Sequence, residues 1–259
     1  MEKMVFMEEV SRIRLGVNID HVATLRNARG TFYPEPLKMV KILEKLKVDG
    51  ITLHLREDRR HIIDTDVTRI VKETNLPINL EMAATEEMQN IATELMPNAV
   101  CLVPERREER TTEGGLDVIS EEEKLKSFLR PLLEKKIRIS LFVSPELKQI
   151  EAASRVGATV VELNTGTFCD LLIEGKKEKY LVELEKLTKA AKLGKKLGLE
   201  IHGGHGLTYE SVKYIASIPE MKELNIGHFL ISEAVFIGIE KTIYKMRQEI
   251  DKSQKSIGN

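Results

Sequence analysis

Apolar residues in this chain come in short, nearly continuous runs, each followed by a longer stretch with helical spacing. Residues 15 to 19 form the first run, ending in Asn18-Ile19-Asp20-His21 before a polar loop, 24 to 36, that carries Arg26 and Arg29. Leu37, Val40, Leu43 and Leu46 then recur at the spacing of one helix face, and Asp49-Gly50 turns the chain. In the next run Ile51, Leu53 and Leu55 alternate with Thr52 and His54, the period of a β-strand, before six charged or titratable residues from Arg56 to His61. The same alternation puts His54 and Arg56 on one side of the strand, opposite the leucines.

The unit then repeats. Thr65 opens a helix with Val67, Ile70 and Val71 on its face, and residues 77 to 82 form a strand that carries Glu81 among apolar neighbours. Thr85 precedes a helix with Glu86 and Glu87 in its first turn, and residues 99 to 103 form the fourth strand. A polar loop from 104 to 119, with Thr111, Thr112 and the pair Gly114-Gly115, reads as a lid with a glycine hinge. Ser120 and Glu123 have the spacing of a capping box for the next helix. Residues 137 to 143 form strand five, and Ser144-Pro145-Glu146 signals a helix start. Strand six, 159 to 163, holds Glu162, and a loop of about a dozen residues leads to a long helix around 180 to 197. Strand seven, 199 to 202, runs into Gly203-Gly204-His205-Gly206, with Thr208 capping a helix. Strand eight, 224 to 226, runs into Gly227-His228, with Ser232 opening the last helix.

Eight strands alternating with helices, with no linker between them, predict a single-domain (β/α)8 TIM barrel, whose usual length of about 250 residues suits this chain. A doubly wound open sheet and a leucine-rich solenoid fit less well, the latter because no motif recurs at fixed period. The expected divisions are a leader at 1–13, the barrel at 14–250 and a polar C-terminal tail at 251–259 that frays.

Composition narrows the possible functions. The 259 residues carry 40 basic and 41 acidic side chains, a net charge of -1, which argues against a general nucleic-acid surface. No apolar run is long enough to span a membrane, and the glutamates near the N-terminus do not suit a signal peptide, so a cytoplasmic protein without membrane partners is expected. Cys101 and Cys169, without metal spacing, are expected to stay reduced.

In a barrel the C-terminal strand ends meet at one mouth, and here they carry Asn18, Asp20, His21, His54, Arg56, Glu81, Glu162, His205 and His228. His beside Arg suits an acid/base group next to an anion clamp. The glycine-rich turns at 203–208 and 227–232, each before a helix, can offer backbone N–H groups to phosphate, and Arg56, Arg59, Arg60 and His61 can hold a second anion. Metal ligation by the histidines is the competing use, but His202 and His205 lack a ligand run, and no metal is expected. No lysine ends a strand core, which disfavours Schiff-base chemistry. A carboxylate buried at the mouth has its pKa raised, which suits Glu81 to proton transfer.

Six blocks carry a family resemblance: Gly-Val-Asn-Ile-Asp-His-Val-Ala-Thr-Leu-Arg-Asn-Ala-Arg-Gly-Thr (16 to 31), His-Leu-Arg-Glu-Asp-Arg-Arg-His (54 to 61), Asn-Leu-Glu-Met-Ala (79 to 83), Thr-Thr-Glu-Gly-Gly-Leu-Asp-Val (111 to 118), Gly-His-Gly-Leu-Thr-Tyr (204 to 209) and Glu-Leu-Asn-Ile-Gly-His (223 to 228). Over residues 14 to 248 the chain resembles the pyridoxine 5'-phosphate synthases of the deoxyxylulose-dependent vitamin B6 pathway. The resemblance implies a ring-closing condensation of 1-deoxy-D-xylulose 5-phosphate with 3-amino-2-oxopropyl phosphate, releasing phosphate and water, with no cofactor. It implies His54 and Glu81 as general bases, His205 as general acid and Glu162 as a transition-state stabiliser. Asp20, His21, Arg56, His61 and Thr111 would hold the first substrate, and Asn18, Arg29, Gly206, Gly227 and His228 the second. It also implies a closing loop after strand four and a homo-octamer in which Arg29 reaches a neighbour. The departures are a leader of about nine extra residues, a longer segment near 168 to 179, and His202 where the family can carry Asn, a change expected to sit near His205. The alternatives are a metal-dependent barrel hydrolase or aldolase acting on a phosphorylated substrate, and a non-catalytic phosphate-binding protein.

Overall fold

A computed structural model describes residues 12–105 and 114–255. Its strands are β1 Arg14–Asn18, β2 Gly50–His54, β3 Ile78–Met82, β4 Ala99–Leu102, β5 Arg138–Val143, β6 Val160–Asn164, β7 Glu200–Gly204 and β8 Met221–Ile226. All pair in parallel and in sequence order, and β8 returns to β1, closing the expected barrel. Around it lie α1 Asp20–Arg29, α2 Pro36–Lys45, α3 Asp64–Glu73, α4 Glu86–Leu95, α5 Glu122–Glu134, α6 Leu147–Arg155, α7 Gly166–Ile173, α8 Lys177–Lys196, α9 Val212–Ile215, α10 His228–Ile237 and α11 Ile239–Lys255.

Alternation divides each strand between two environments. Leu15, Val17, Ile51, Leu53, Leu80, Met82, Leu102, Leu141, Val161, Leu163 and Ile201 join the helices in one buried apolar layer. Each fully buried aliphatic side chain there contributes about 1.5–3 kcal/mol of transfer free energy. The opposite face points into the barrel and is largely polar. Thr52 of β2 donates to Asn225 Oδ1 of β8 at 2.9 Å, across the intervening β1. That bond passes over Gly16, where a Cβ would stand 2.0 Å from Asn225 Oδ1, so only glycine fits there. A barrel interior is more often layered with branched aliphatic side chains. Here the apolar filling includes a small separate cluster of Cys101, Val103 and Phe142.

Several boundaries differ from the sequence expectation. Residues 20–29, expected to run from the strand into a loop, form α1, which Gly30 ends in the left-handed region at φ 62°. The buried face of α1 includes Arg26, whose guanidinium holds Asp66 at 2.7 and 2.8 Å and the His61 carbonyl at 3.1 Å. A helix face completed by a paired arginine leaves little trace in hydrophobic periodicity. The expected loop after β6 contains α7, which starts one residue after Thr165. No capping box forms at Ser120, whose hydroxyl donates to Asp117 Oδ2 at 2.6 Å while α5 begins at Glu122. Ser232 lies inside α10, which starts four residues earlier at His228.

The tail expected to fray from residue 251 is helical through Lys255. Gln254 Oε1 accepts the Ile13 backbone N–H at 3.0 Å and Arg247 donates to the Ile13 carbonyl at 2.7 Å, so α11 holds the start of β1 in place. Among the described residues no helix is long and apolar enough to cross a membrane.

Candidate active site

At the C-terminal mouth, β1 and its turn supply Asn18 and Asp20. Asp20 Oδ1 accepts the His54 backbone N–H at 2.8 Å, and its Oδ2 takes a bond from Asn18 Nδ2 at 2.9 Å. These contacts lock the end of β1 to the end of β2. His54, on β2, stands between two carboxylates: its Nδ1 is 3.9 Å from Glu81 Oε2 on β3, and its Nε2 is 2.7 Å from Glu105 Oε1 beyond β4. Asp20, His54 and Glu81 each present an oxygen or nitrogen within 4.8 Å of the others.

Glu162 enters the same interior from β6 and is 2% exposed. Asn225 Nδ2 donates to its Oε2 at 2.7 Å, and Gly204 leaves room for its other oxygen, which a Cβ there would approach to 2.1 Å. Burial pushes the Glu162 carboxyl up to about 8, against the pull of the Asn225 hydrogen bond. Glu81 is also raised well above the carboxylate range, first by burial and then by the negative charges of Asp20 and Glu162.

His205 faces this chamber from β7, with its ring 6.3 Å from that of Phe142, the β5 residue paired in register with Glu162. Its φ of 78° is unusual for a residue with a side chain. The hydroxyl of Thr165 pins this conformation, donating to the carbonyls of Gly204 at 2.8 Å and His205 at 2.5 Å. Gly166, the first residue of α7, makes room for the imidazole, since a Cβ there would lie 2.7 Å from His205 Cδ2. Thr165 and Gly166 follow strand six as polar and small residues do after the other strands, and their place beside His205 depends on the β6–β7 pairing.

A second group of rings and cations forms the rim. The His21 and His228 rings meet at a tilt of 50° with centroids 5.0 Å apart, and His61 lies 6.0 Å from His54. Burial lowers the His21 imidazole to about 4, Asp20 partly opposing it, and His61 is lowered mainly by the same cause. Both rings are therefore neutral near pH 7. Arg56 is buried, with Nε 3.2 Å from Asp58 Oδ1, and Arg60 shares that carboxylate. Arg59 turns instead toward Asp64 and Glu87. Of the four residues anticipated as an anion clamp at 56–61, Arg56 and Arg60 thus share one aspartate and Arg59 pairs away from it. Gly227 packs against Asn18 and precedes the first turn of α10, and Gly206 packs against Cys169. Arg29 stands apart, exposed in the last turn of α1. Thr111 and the 106–113 part of the anticipated lid lie outside the described residues.

His202 belongs to the other end of the barrel. Its Nε2 is 2.8 Å from Glu200 and its Nδ1 3.4 Å from Glu223, with Arg14 alongside, so proximity in sequence to His205 does not make it part of the mouth.

An eight-stranded barrel that gathers imidazoles, buried carboxyls and a buried guanidinium at its C-terminal mouth has the layout of a TIM-barrel enzyme. Solved structures share the fold: N-(5'-phosphoribosyl)anthranilate isomerase from Pyrococcus furiosus superposes with a TM-score of 0.58 at 10% identity, over 93% of this chain and all of that one. Residues 15–252 match the family described as pyridoxal phosphate biosynthesis protein PdxJ. Curated relatives named pyridoxine 5'-phosphate synthase include one from Cereibacter sphaeroides, 53% identical over 96% of this chain and 99% of the relative. Another, from Jannaschia sp., is 54% identical over 95% of this chain and 99% of the relative. The chain belongs to the PdxJ family and is an enzyme of the synthase class.

Proposed function

We propose that this enzyme makes pyridoxine 5'-phosphate by condensing 1-deoxy-D-xylulose 5-phosphate with 3-amino-2-oxopropyl phosphate, releasing phosphate and water through acid/base catalysis without a metal. The observation that carries the reading is the cluster at the mouth in which Glu81 lies 3.9 Å from the His54 imidazole and the carboxyls of Glu81 and Glu162 are both pushed upward.

Joining an amine to a ketone and then closing a ring requires protons to leave carbon and nitrogen and to arrive on departing oxygens. Each well-placed acid or base accelerates such a step about 10²–10⁴-fold. His54 and Glu81 take protons, adjacent groups acting on one carbon skeleton. His205, against Gly166 on the far wall, delivers a proton to a leaving oxygen. Glu162, neutral near pH 7, donates a hydrogen bond to oxygen that gains negative charge and adds no charge that would repel two phosphorylated substrates. Asp20, His21, Arg56, His61 and Thr111 hold the deoxyxylulose phosphate. Asn18, Arg29, Gly206, Gly227 and His228 hold the amino-ketone phosphate, and the first turn of α10 at Gly227 supplies free backbone N–H groups for an anion. A cytoplasmic homo-octamer is part of the same reading, and the exposed position of Arg29 suits a residue that serves a neighbouring subunit.

The test is direct. Purified, metal-depleted protein supplied with both substrates is expected to yield the pyridoxine phosphate absorbance and equimolar free phosphate; no product from verified substrates would overturn the proposal. The cluster of Asp20, His54 and Glu81 gives one specific reason to keep a metal-dependent hydrolase or aldolase as the second reading. Stoichiometric bound metal together with activity lost to a chelator would favour it.

A further inference from the structure

We infer that Glu105 is a positioning residue that sets the tautomer of His54, placing the ring proton on Nε2 and leaving Nδ1 open toward the substrate. The inference rests on the reading of His54 as a proton acceptor and extends it to a residue that no periodicity or motif singled out.

The contact is short and dry. Glu105 Oε1 lies 2.7 Å from His54 Nε2, and the two side chains are 5% and 6% exposed. The other carboxylate oxygen accepts the Glu57 backbone N–H at 3.1 Å, so the carboxyl group is anchored through both oxygens and cannot turn away without leaving that amide unpaired. Burial pushes the Glu105 carboxyl up, but the hydrogen bond and charge of His54, the Glu57 N–H and the nearby charge of Arg56 together hold it below its ordinary range. An ionised carboxylate can only accept, so the hydrogen between these atoms belongs to the imidazole.

The other ring nitrogen has a different surrounding. Nδ1 is 3.9 Å from Glu81 Oε2, too far for a hydrogen bond, and faces the chamber that Glu162 also enters. Asp20 meets the His54 backbone rather than its ring, and the His61 ring is 6.0 Å away. Of the groups around the imidazole, Glu105 alone among the described residues is placed to fix a ring proton. The arrangement follows the logic of a carboxylate that orients a histidine base and stabilises the imidazolium formed when it takes a proton. Glu105 reaches His54 across 51 residues of sequence, and it sits in the loop that leaves β4.

Nitrogen-15 NMR of histidine-labelled full-length protein above the imidazole titration tests this. His54 is expected to show a protonated Nε2 and an unprotonated Nδ1. In Glu105→Gln, where the amide can accept or donate, the two tautomers are expected to mix or reverse, with kcat falling about 10²-fold or more and KM changing much less. A wild-type ring protonated on Nδ1, or a Gln variant that keeps the wild-type tautomer and turnover, would overturn the inference. The NMR result does not depend on catalysis. If His54→Ala turned over normally while the ring showed the expected tautomer, the base role would fail and the geometric claim would stand.

Discussion

The two ends of the barrel interior are built from the same residue types and reach opposite electrostatic solutions. At the base, Arg14 Nε pairs with Glu223 at 2.7 Å and its Nη2 with Glu200, Arg138 bridges the same two glutamates, and His202 fits between them. Every carboxylate there has a cation, and Glu200 is pulled down to about 2, chiefly by the hydrogen bond from His202 and against burial. At the mouth Glu81 has Asp20, Glu162 and the His54 imidazole around it, Glu162 is bonded by the neutral amide of Asn225, and both carboxyls are pushed upward. A paired network costs little and stabilises the closed barrel. Carboxyls gathered together in a desolvated mouth cost stability and bind protons more tightly than free carboxyls, in groups ready to exchange them.

If that contrast is right, damage at the two ends separates activity from stability. The largest effect is expected at the mouth: Glu81→Gln and His54→Ala each lower kcat about 10²–10⁴-fold with little loss of Tm, measured by product absorbance and thermal unfolding. Unchanged turnover in both would remove the assigned roles. His205→Asn comes next, with kcat falling more than KM rises, because an acid acts in the transition state; a raised KM at constant kcat would contradict it.

Arg14→Met should do the reverse. It leaves Glu223 and Glu200 short of a cation and is expected to cost about 1–3 kcal/mol, a range kept low because the arginine is partly exposed. Turnover per folded molecule at 25 °C should stay near that of the parent, and a loss of activity without a loss of Tm would blur the distinction between the ends.

The smallest and most discriminating effect is in the pH dependence of stability. A carboxyl raised from 4.5 to about 8 contributes stability that is complete below pH 4.5 and is lost as pH rises through 8. Glu162→Gln is therefore expected to gain Tm relative to the parent as pH rises from 6 to 9. A carboxyl lowered to about 2 behaves oppositely, stabilising above 4.5 and losing that contribution as pH falls through 2. Glu200→Gln should thus be less stable than the parent at pH 7, with the gap narrowing from pH 5 downward. Parallel pH profiles for the two variants would mean that the ends do not differ.

The barrel itself was legible because its outward strand positions are apolar, so Leu15, Leu53, Leu80 and Leu163 mark strands whatever lies around them. The mouth was legible through residues that are odd in their local context, such as Glu81 and Glu162 among aliphatic neighbours. What stayed hidden depends on contacts between distant segments. Arg26 reads as a loop cation until Asp66 pairs with it and completes the buried face of α1. Glu105 sits in a charged stretch that looks solvated until His54 meets it, and Asn225 gains meaning only from Thr52 and Glu162 across the interior. His202 shows the converse, since three residues of sequence from His205 carry it toward the opposite end of the barrel.

The charge state of the Glu162 carboxyl in the resting enzyme tests the account most directly. Difference infrared spectra of the parent against Glu162→Gln, taken from pH 5 to pH 9, are predicted to show a protonated carboxyl signal that persists at pH 7 and disappears near pH 8. The same comparison with Glu200→Gln should show only carboxylate across that range. A Glu162 signal already ionised at pH 5 would contradict the claim that the mouth keeps Glu162 protonated where the base pairs its carboxylates with cations.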